Sequence, residues 1–405
     1  MKILLVVSNF IPEIGSASHL YYDLAKAFIK RGHEIHILTS YPREFNLNNE
    51  DKDKTFPLYE LIDGIHVHRC KHTAQRDNVI LRGFEHFMLP KYYFNTYKKI
   101  NIKFDSCLIY IPPLPLYRLA LRIKKYSNTP SILNFQDFHP QELIDVGVMR
   151  NPIWVKIMEY IEKQAYKNAD YITVLSKKGV KYVIDKGGDS SRISHIYNGV
   201  LIENFDKEKI KKNFKIKQGI QNKKLITYAG ILSPYQGLDK ILDAAKMLRD
   251  ENDLLFYIVG EGSEKKHLEN RIFNENIKNV KILPFQKRKE YFNIINSSDI
   301  VFVTLDERMK APCLPGKIKD LLALKKPIIA SVSKETETAD FIKDSGAGIL
   351  TEPKKIDDLY LNINLLKNNE KLKNNLGNKG FSYLKKNMDL EKNVEKYEKI
   401  ISKIV

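Results

Sequence analysis

Lysine and aspartate three positions apart at the start of a short helical run, Lys317 and Asp320 in LPGKIKDLLALKKPIIA, can together grip a nucleoside diphosphate. Pro315 and Gly316 end the preceding segment. Lys317 then opens a helix, and Lys325-Lys326-Pro327 stops it before the apolar run Ile328–Ala330. A helix start gathers free backbone N–H groups and the positive end of the macrodipole, which suits a phosphate. Lys317 adds a mobile cation there. Asp320 shares its face one turn on and could accept hydrogen bonds from a ribose diol. The plain alternative is a surface helix with an i,i+3 Lys–Asp pair.

Other segments offer parts of the same chemistry. Gly15, in PEIGSASH after the first apolar run, would let backbone approach a ligand or an oxyanion, or is a simple turn glycine. His19 opens the following helix and could bond a sugar hydroxyl or face solvent. In NFQDFHP, Asp137 and His139 lie two residues apart just beyond a buried strand, where chemistry is done in α/β folds. Asp137 could orient or deprotonate an acceptor hydroxyl; it could also cap a helix before Pro140. Further on, Gly230 ends the run YAGI, Gln236 and Gly237 open the next helix, and Gly260, Glu261 and Gly262 repeat the device. The stretch Val79–Lys103 sets Phe84, Phe87, Tyr92 and Tyr93 among basic residues. It could dip into a lipid interface, form a core helix pair, or stack nucleobases.

These residues need elements to position them. Ile3–Val7 reads as a fully apolar strand, as parallel sheets covered on both faces require. Leu20, Leu24, Ala25, Phe28 and Ile29 mark one helical face closed by Gly32, and Ile35–Thr39 follows as a strand, completing a βαβ unit. Strands are expected at Ile65–Arg69, Ser106–Tyr110, Ser131–Phe135, Tyr171–Leu175 and Ile193–Ile196. The alternation restarts after the turn Asn198-Gly199-Val200 and the Lys-rich stretch 207–224, with strands at Leu225–Ala229, Leu255–Val259, Val280–Leu283, Ile300–Val303, Ile328–Ala330 and Gly348–Leu350. The fold class is therefore α/β, with two doubly wound Rossmann-like domains facing a cleft. The expected limits are 1–200 for an acceptor-binding domain and 201–385 for a nucleotide-sugar-binding domain. A helix in 386–405 should pack back toward the first.

Composition narrows the classes. The 405 residues exceed what one core usually serves. The 67 Lys+Arg against 49 Asp+Glu leave a charge of +18, which attracts polyanions of any kind. Three scattered cysteines without CxxC or Cys/His ligand spacing support neither a disulfide framework nor a structural zinc, and suit a reducing cytoplasm. The N-terminal apolar run is too short for a signal peptide, and no run is long enough to span a membrane.

With these residues in view, the chain resembles a family 4 glycosyltransferase of the two-domain GT-B architecture. It is most similar to the branch of bacterial O-antigen and capsule N-acetyl-fucosamine transferases. The resemblance rests on MKILLVVSNFIPEIGSAS, on NFQDFHPQELIDVGVMRNPIWVKIMEYIEKQAYKNADYITVLS, on HIYNGV, on YAGILSPYQGL and on LPGKIKDLLALKKPIIA. It implies retaining, metal-independent transfer of a sugar, N-acetylated in this branch, from a UDP-sugar that is a substrate rather than a cofactor. Gly15, Gly230 and Lys317 would surround the diphosphate, Asp320 would hold the ribose, and uracil would sit at Leu283 to Phe285. Gln236, Gly260, Glu261, Pro315 and Gly316 complete the donor side, with Asp137 and His19 as the catalytic pair.

The chain departs from the family in several places. Ile231 and Gln236 stand where the wider family has Arg and Lys, which leaves Lys317, Arg308 or Lys310 as the phosphate cation. Asp320 stands for the usual Glu. Pro312 replaces an upstream glutamate, which favours a front-face mechanism without a protein nucleophile. Gln136 and His139 stand for Arg and Trp on the acceptor side. By the resemblance, the acceptor is an undecaprenyl-linked or other glycan, and the protein is cytoplasmic, peripheral on the inner face of the cell membrane. A sugar-nucleotide epimerase on the same fold is the nearest rival. A basic nucleic-acid-binding protein is the rival of another class, suggested by the charge and the aromatic stretch; no module for it is present, so nucleic acid is not an expected partner.

Overall fold

The computed structural model describes residues 1–43, 47, 50–71, 79–205 and 210–405, and of 79–84 the backbone alone. The described residues form two compact units. Unit 1 comprises Met1–Pro140, Met149–Leu201 and Leu390–Val405; unit 2 comprises Gln141–Val148 and Ile202–Asp389.

Unit 1 is built on an eight-stranded sheet of β1 (Lys2–Val6), β2 (Glu34–Ser40), β3 (Tyr59–Ile62), β4 (Ile65–Cys70), β5 (Ser106–Ile111), β6 (Ser131–Phe135), β7 (Tyr171–Val174) and β8 (Ile193–His195). Its order is β3-β4-β2-β1-β5-β6-β7-β8, parallel except for the β3–β4 pair. The inner strands are apolar on both faces because helices cover both; β6 and β7 are buried throughout. The strand β3 has no counterpart in the sequence reading. Its alternating half-exposed pattern is that of an edge, and it is joined to β4 through Asp63-Gly64, both at positive φ (50 and 85). That Asp-Gly pair is the signal that could have revealed the hairpin.

Unit 2 carries β9 (Lys224–Ala229), β10 (Leu254–Val259), β11 (Val280–Leu283), β12 (Ile300–Thr304), β13 (Ile328–Ser331) and β14 (Gly348–Thr351). All are parallel, in the order β11-β10-β9-β12-β13-β14. Counted from β9 this is 3-2-1-4-5-6, the doubly wound dinucleotide-binding order. The strand sequence reverses between β9 and β12, and that reversal opens a crevice at their carboxyl ends.

Six helices matter below: α1 (Ser16–Lys30), α2 (Val79–Ile100), α3 (Gln141–Asp145), α4 (Pro152–Asn168), α5 (Ile318–Ala323) and α6 (Leu390–Ile404). The helix α6 presents Leu390, Val394, Tyr397, Ile400 and Ile401 to the core of unit 1, where α1 supplies Leu20, Tyr21, Leu24 and Phe28. Arg31 at the end of α1 forks onto Glu398 of α6 with two 2.8 Å bonds. The returning segment starts at Leu390, because residues 386–389 group with unit 2. The segment 141–148 also groups with unit 2, although it lies inside the expected 1–200 domain. The reason is local: Asp145 Oδ2 in α3 accepts the backbone N–H groups of Lys310 (2.7 Å) and Ala311 (2.8 Å).

The aromatic stretch reads differently in three dimensions. Along α2, Leu89, Tyr93 and Tyr97 are buried, and the Tyr93 hydroxyl is 2.8 Å from Ser40 Oγ under the ends of β1 and β2. Tyr93 is thus a core residue and cannot reach a lipid or an acceptor. Phe87 and Tyr92 are half-buried, and the side chain of Phe84 lies outside the described residues. No described helix is long and apolar enough to cross a membrane.

Candidate active site

In unit 2 the chemistry gathers at the strand reversal. The strand β9 ends in Tyr228-Ala229-Gly230, and the side chain of Lys317 comes in over it. Its Nζ lies 3.6 Å from the centroid of the Tyr228 ring. The ammonium is sealed from solvent and makes no hydrogen bond. Burial draws its pKa down from 10.5 to about 7. The Tyr228 hydroxyl lies 2.9 Å from the Ile231 carbonyl oxygen and 3.0 Å from Gln236 Oε1, which share its one proton and fix the ring as a floor for the cation. A Cβ on Gly230 would fall 3.3 Å from Lys317 Nζ, so glycine here keeps the approach to the ammonium open. Tyr228 escaped the sequence reading because an aromatic inside an apolar strand looks like core.

Lys317 precedes a helix of only six residues, so the free N–H groups and dipole of that helix start are a modest contribution. Pro315 shapes the entry, its carbonyl accepting the Ile318 N–H at 3.0 Å, and Gly316 follows half-buried. Asp320 does not pair with Lys317. It accepts from Lys319 Nζ at 2.8 Å and also meets the buried Tyr291 hydroxyl. Of the alternative cations, Arg308 is forked onto Asp306 and the Lys310 side chain is exposed. Lys317 is therefore the cation of this site that is without an anion.

Other residues expected on the donor side have structural contacts of their own. A Cβ on Gly260 would sit 1.9 Å from the Gly230 carbonyl oxygen, and one on Gly262 2.1 Å from that of Leu232. Both glycines let chain pass chain, which is reason enough for glycine at these positions. The Glu261 carboxylate is taken by Lys265 Nζ at 2.8 Å. The Leu283 carbonyl accepts the Gly260 N–H at 2.9 Å, and that of Pro284 accepts from Gln286. Each of these carbonyls, in the segment expected to meet uracil, thus has one donor already. Phe285 stands 42% exposed just beyond them, available as an apolar face.

In unit 1, Gly15 caps α1 with extended backbone (φ 165), and a Cβ there would meet nothing closer than Ser18 Oγ at 3.9 Å. Neither conformation nor packing requires glycine at that position. The loop is held by the buried Glu13, whose Oε1 takes Arg43 Nε at 3.1 Å, a pairing the sequence did not disclose. His19 is the fourth residue of α1 rather than its opener, with its N–H on the Gly15 carbonyl at 3.4 Å. Beyond β6, Asp137 and His139 are half-buried and feel one another. Burial raises the Asp137 carboxyl against the opposing pull of His139, and burial lowers the His139 imidazole. Gln136, standing where the related family has Arg, is locked in a reciprocal amide pair with Asn198 (3.1 and 2.7 Å). A small cavity beside that pair, about 10 Å³, has room for roughly one water and none for a sugar.

One described cluster has donor atoms close enough for a metal, Glu34, His36 and His66, within 4.8 Å of one another. Both ring nitrogens of His36 are already engaged, Nε2 with Glu34 (3.1 Å) and Nδ1 with His68 (2.9 Å). It lies at the amino ends of β2 and β4, away from the residues above.

Comparison with known proteins defines the class as a glycosyltransferase. Residues 17–204 match Glycosyltransferase Family 4 and residues 206–383 match Glycosyl transferases group 1, so the chain belongs to the family 4 glycosyltransferases of GT-B architecture. It is 22% identical over 378 residues to a protein described as a colanic acid biosynthesis glycosyl transferase, WcaI of Escherichia coli, covering 90% of this chain and 91% of that one. It is 26% identical over 241 residues to the glycosyltransferase WbjE of Pseudomonas aeruginosa, covering 58% and 57%. Among solved structures, sucrose-phosphate synthase of Thermosynechococcus elongatus has a TM-score of 0.78 at 13% identity, over 100% of this chain and 98% of that one. Anabaena HepE in complex with UDP has a TM-score of 0.71 at 17% identity, over the whole of both chains. At those identities the likeness is one of fold.

Proposed function

We propose that the chain transfers a sugar from a UDP-sugar to the hydroxyl of an undecaprenyl-linked or other glycan acceptor in bacterial surface polysaccharide synthesis. The observation that carries this is the sealed Lys317 ammonium at the strand reversal of unit 2, a buried cation lacking its anion. Leaving such a charge unpaired costs several kcal/mol, roughly, and a diphosphate supplies the counter-charge. Asp320 would take the ribose and Phe285 would lie against the base. Anabaena HepE, whose fold this chain shares, was crystallised with UDP and with UDP-glucose. WcaI, described as a colanic acid biosynthesis glycosyl transferase, favours a polysaccharide pathway, and the resemblance to N-acetyl-fucosamine transferases favours an N-acetylated sugar.

The chemistry follows from what each group can do. The bond from the anomeric carbon to the diphosphate oxygen breaks, and a bond to the acceptor oxygen forms on the same face, retaining configuration. The acceptor proton passes to the departing phosphate oxygen, since Pro312 occupies the position of the upstream acid. Lys317 steadies the charge that grows on the leaving group. Asp137 orients the acceptor hydroxyl. The step calls on no metal.

Thermal shift of the purified protein against a panel of UDP-sugars tests the donor. Binding of one member, with UDP released only when a glycan acceptor is added and the α or β configuration conserved by NMR, supports the reading. UDP-sugar interconversion without an acceptor would replace it with the epimerase.

A further inference from the structure

The chain's one tryptophan stands on its surface. Trp154 is 52% exposed on α4, beside Ile153 (67%), Ile157 (39%) and Tyr160 (64%). The helix is built to hold them there. Asn151 caps it, its Oδ1 accepting the N–H groups of Ile153 (3.0 Å) and Trp154 (3.3 Å), and Pro152 takes the first helical position, where it costs no hydrogen bond. The core side of α4 is occupied by Ile161, Glu162, Ala165 and Tyr166. Residues 153, 157 and 160 recur at i, i+4 and i+7, so they form an apolar stripe on the opposite side; Trp154, about 100° round the helix from Ile153, falls in line with Ile161 and stands exposed in the first turn. Lys156, Lys163 and Lys167, all exposed, fall along one flank of that stripe by the same periodicity.

We propose that this face of α4 docks the protein on an anionic lipid surface, with the apolar stripe entering the headgroup–acyl boundary and the lysines meeting lipid phosphates. Apolar and aromatic side chains beside a row of lysines are the composition of a helix lying in the membrane interface. The charge of +18 on the whole chain is complementary to such a surface. A second copy of the chain is a poorer occupant, because four side chains fall far short of the roughly 20–30 residues per side of a stable interface. The assignment deepens the functional reading by placing membrane contact on α4 instead of α2, whose central aromatics are core.

The test uses Trp154 as its own reporter. Full-length protein is titrated with vesicles of phosphatidylcholine containing phosphatidylglycerol, and with vesicles of phosphatidylcholine alone. The expected results are a blue shift of tryptophan emission and quenching by brominated acyl chains with the anionic vesicles only. Ile153→Ser/Ile157→Ser, both at exposed positions, should weaken vesicle co-sedimentation at least tenfold. Lys156→Glu/Lys163→Glu should do the same and flatten its salt dependence. UDP binding in each variant should equal that of the parent, which separates this proposal from the donor assignment. Unchanged emission on adding anionic vesicles, or co-sedimentation insensitive to the α4 variants, would overturn it. So would lipid-free self-association abolished by Ile153→Ser/Ile157→Ser.

Discussion

Replacing Lys317 with methionine keeps the length and apolar stem of the side chain and removes only its charge. In the folded protein burial holds this lysine near pH 7 as its midpoint, against 10.5 for an ordinary lysine. The folded pKa lies below the unfolded one, so between about 7 and 10.5 the unfolded chain binds the extra proton and stability rises with pH. Below about 7 the full penalty applies, about 5 kcal/mol for a shift from 10.5 to about 7. Lys317→Met should therefore stabilise unit 2 at pH 6 by up to about 5 kcal/mol, a melting shift of up to about 10–20 °C, and the gain should fade by pH 10. Ligand binding runs the other way, because a diphosphate needs the charged form. The affinity of the parent for UDP should fall by up to about 15-fold from pH 7 to 8.5, as a group with its midpoint at about 7 loses its proton. The variant should bind UDP about 100-fold more weakly, without that slope. Thermal melts from pH 6 to 10 and calorimetric UDP titrations at pH 7 and 8.5 measure both. A variant less stable than the parent at pH 6, or one that keeps the pH slope of UDP binding, would refute the reasoning.

Three further outcomes are expected. Asp137→Asn should lower kcat by about 100-fold or more with the UDP dissociation constant unchanged, and the acid limb of the parent's rate profile should lie above the ordinary carboxylate range, since burial raises this group; steady-state rates and UDP titration separate the two quantities. Gly260→Ala should unfold unit 2 or cost more than about 3 kcal/mol, because its Cβ has 1.9 Å to the Gly230 oxygen, whereas Gly15→Ala, with 3.9 Å of room, should leave denaturant midpoints in place. A kcat/KM unchanged in Gly15→Ala would make that glycine a plain turn. Truncation at Asp389 removes Leu390, Val394, Tyr397, Ile400 and Ile401 from the core of unit 1, roughly 10 kcal/mol of apolar burial, so the shortened chain should not fold, as circular dichroism and solubility will report.

What the sequence determined by itself was periodic or local. Apolar runs bounded by turns located thirteen of the fourteen strands among the described residues, because a strand covered on both faces reads as a largely apolar run. Helix α6 was legible from Val394, Tyr397 and Ile401, one face at helical spacing. Lys317 and Asp320 stood out because their spacing is local to a helix start.

Tertiary structure decided what depends on residues far apart in the chain. It set Lys317 over Tyr228, 89 positions earlier, and so made an ordinary lysine a sealed cation. It set Gly260 across Gly230 and bonded the Gly260 N–H to the Leu283 carbonyl. It buried Tyr93 on α2 and left Trp154 on α4 exposed. Hydrophobicity along a chain records which side chains avoid water, but which of them find cover depends on the neighbours that the topology brings.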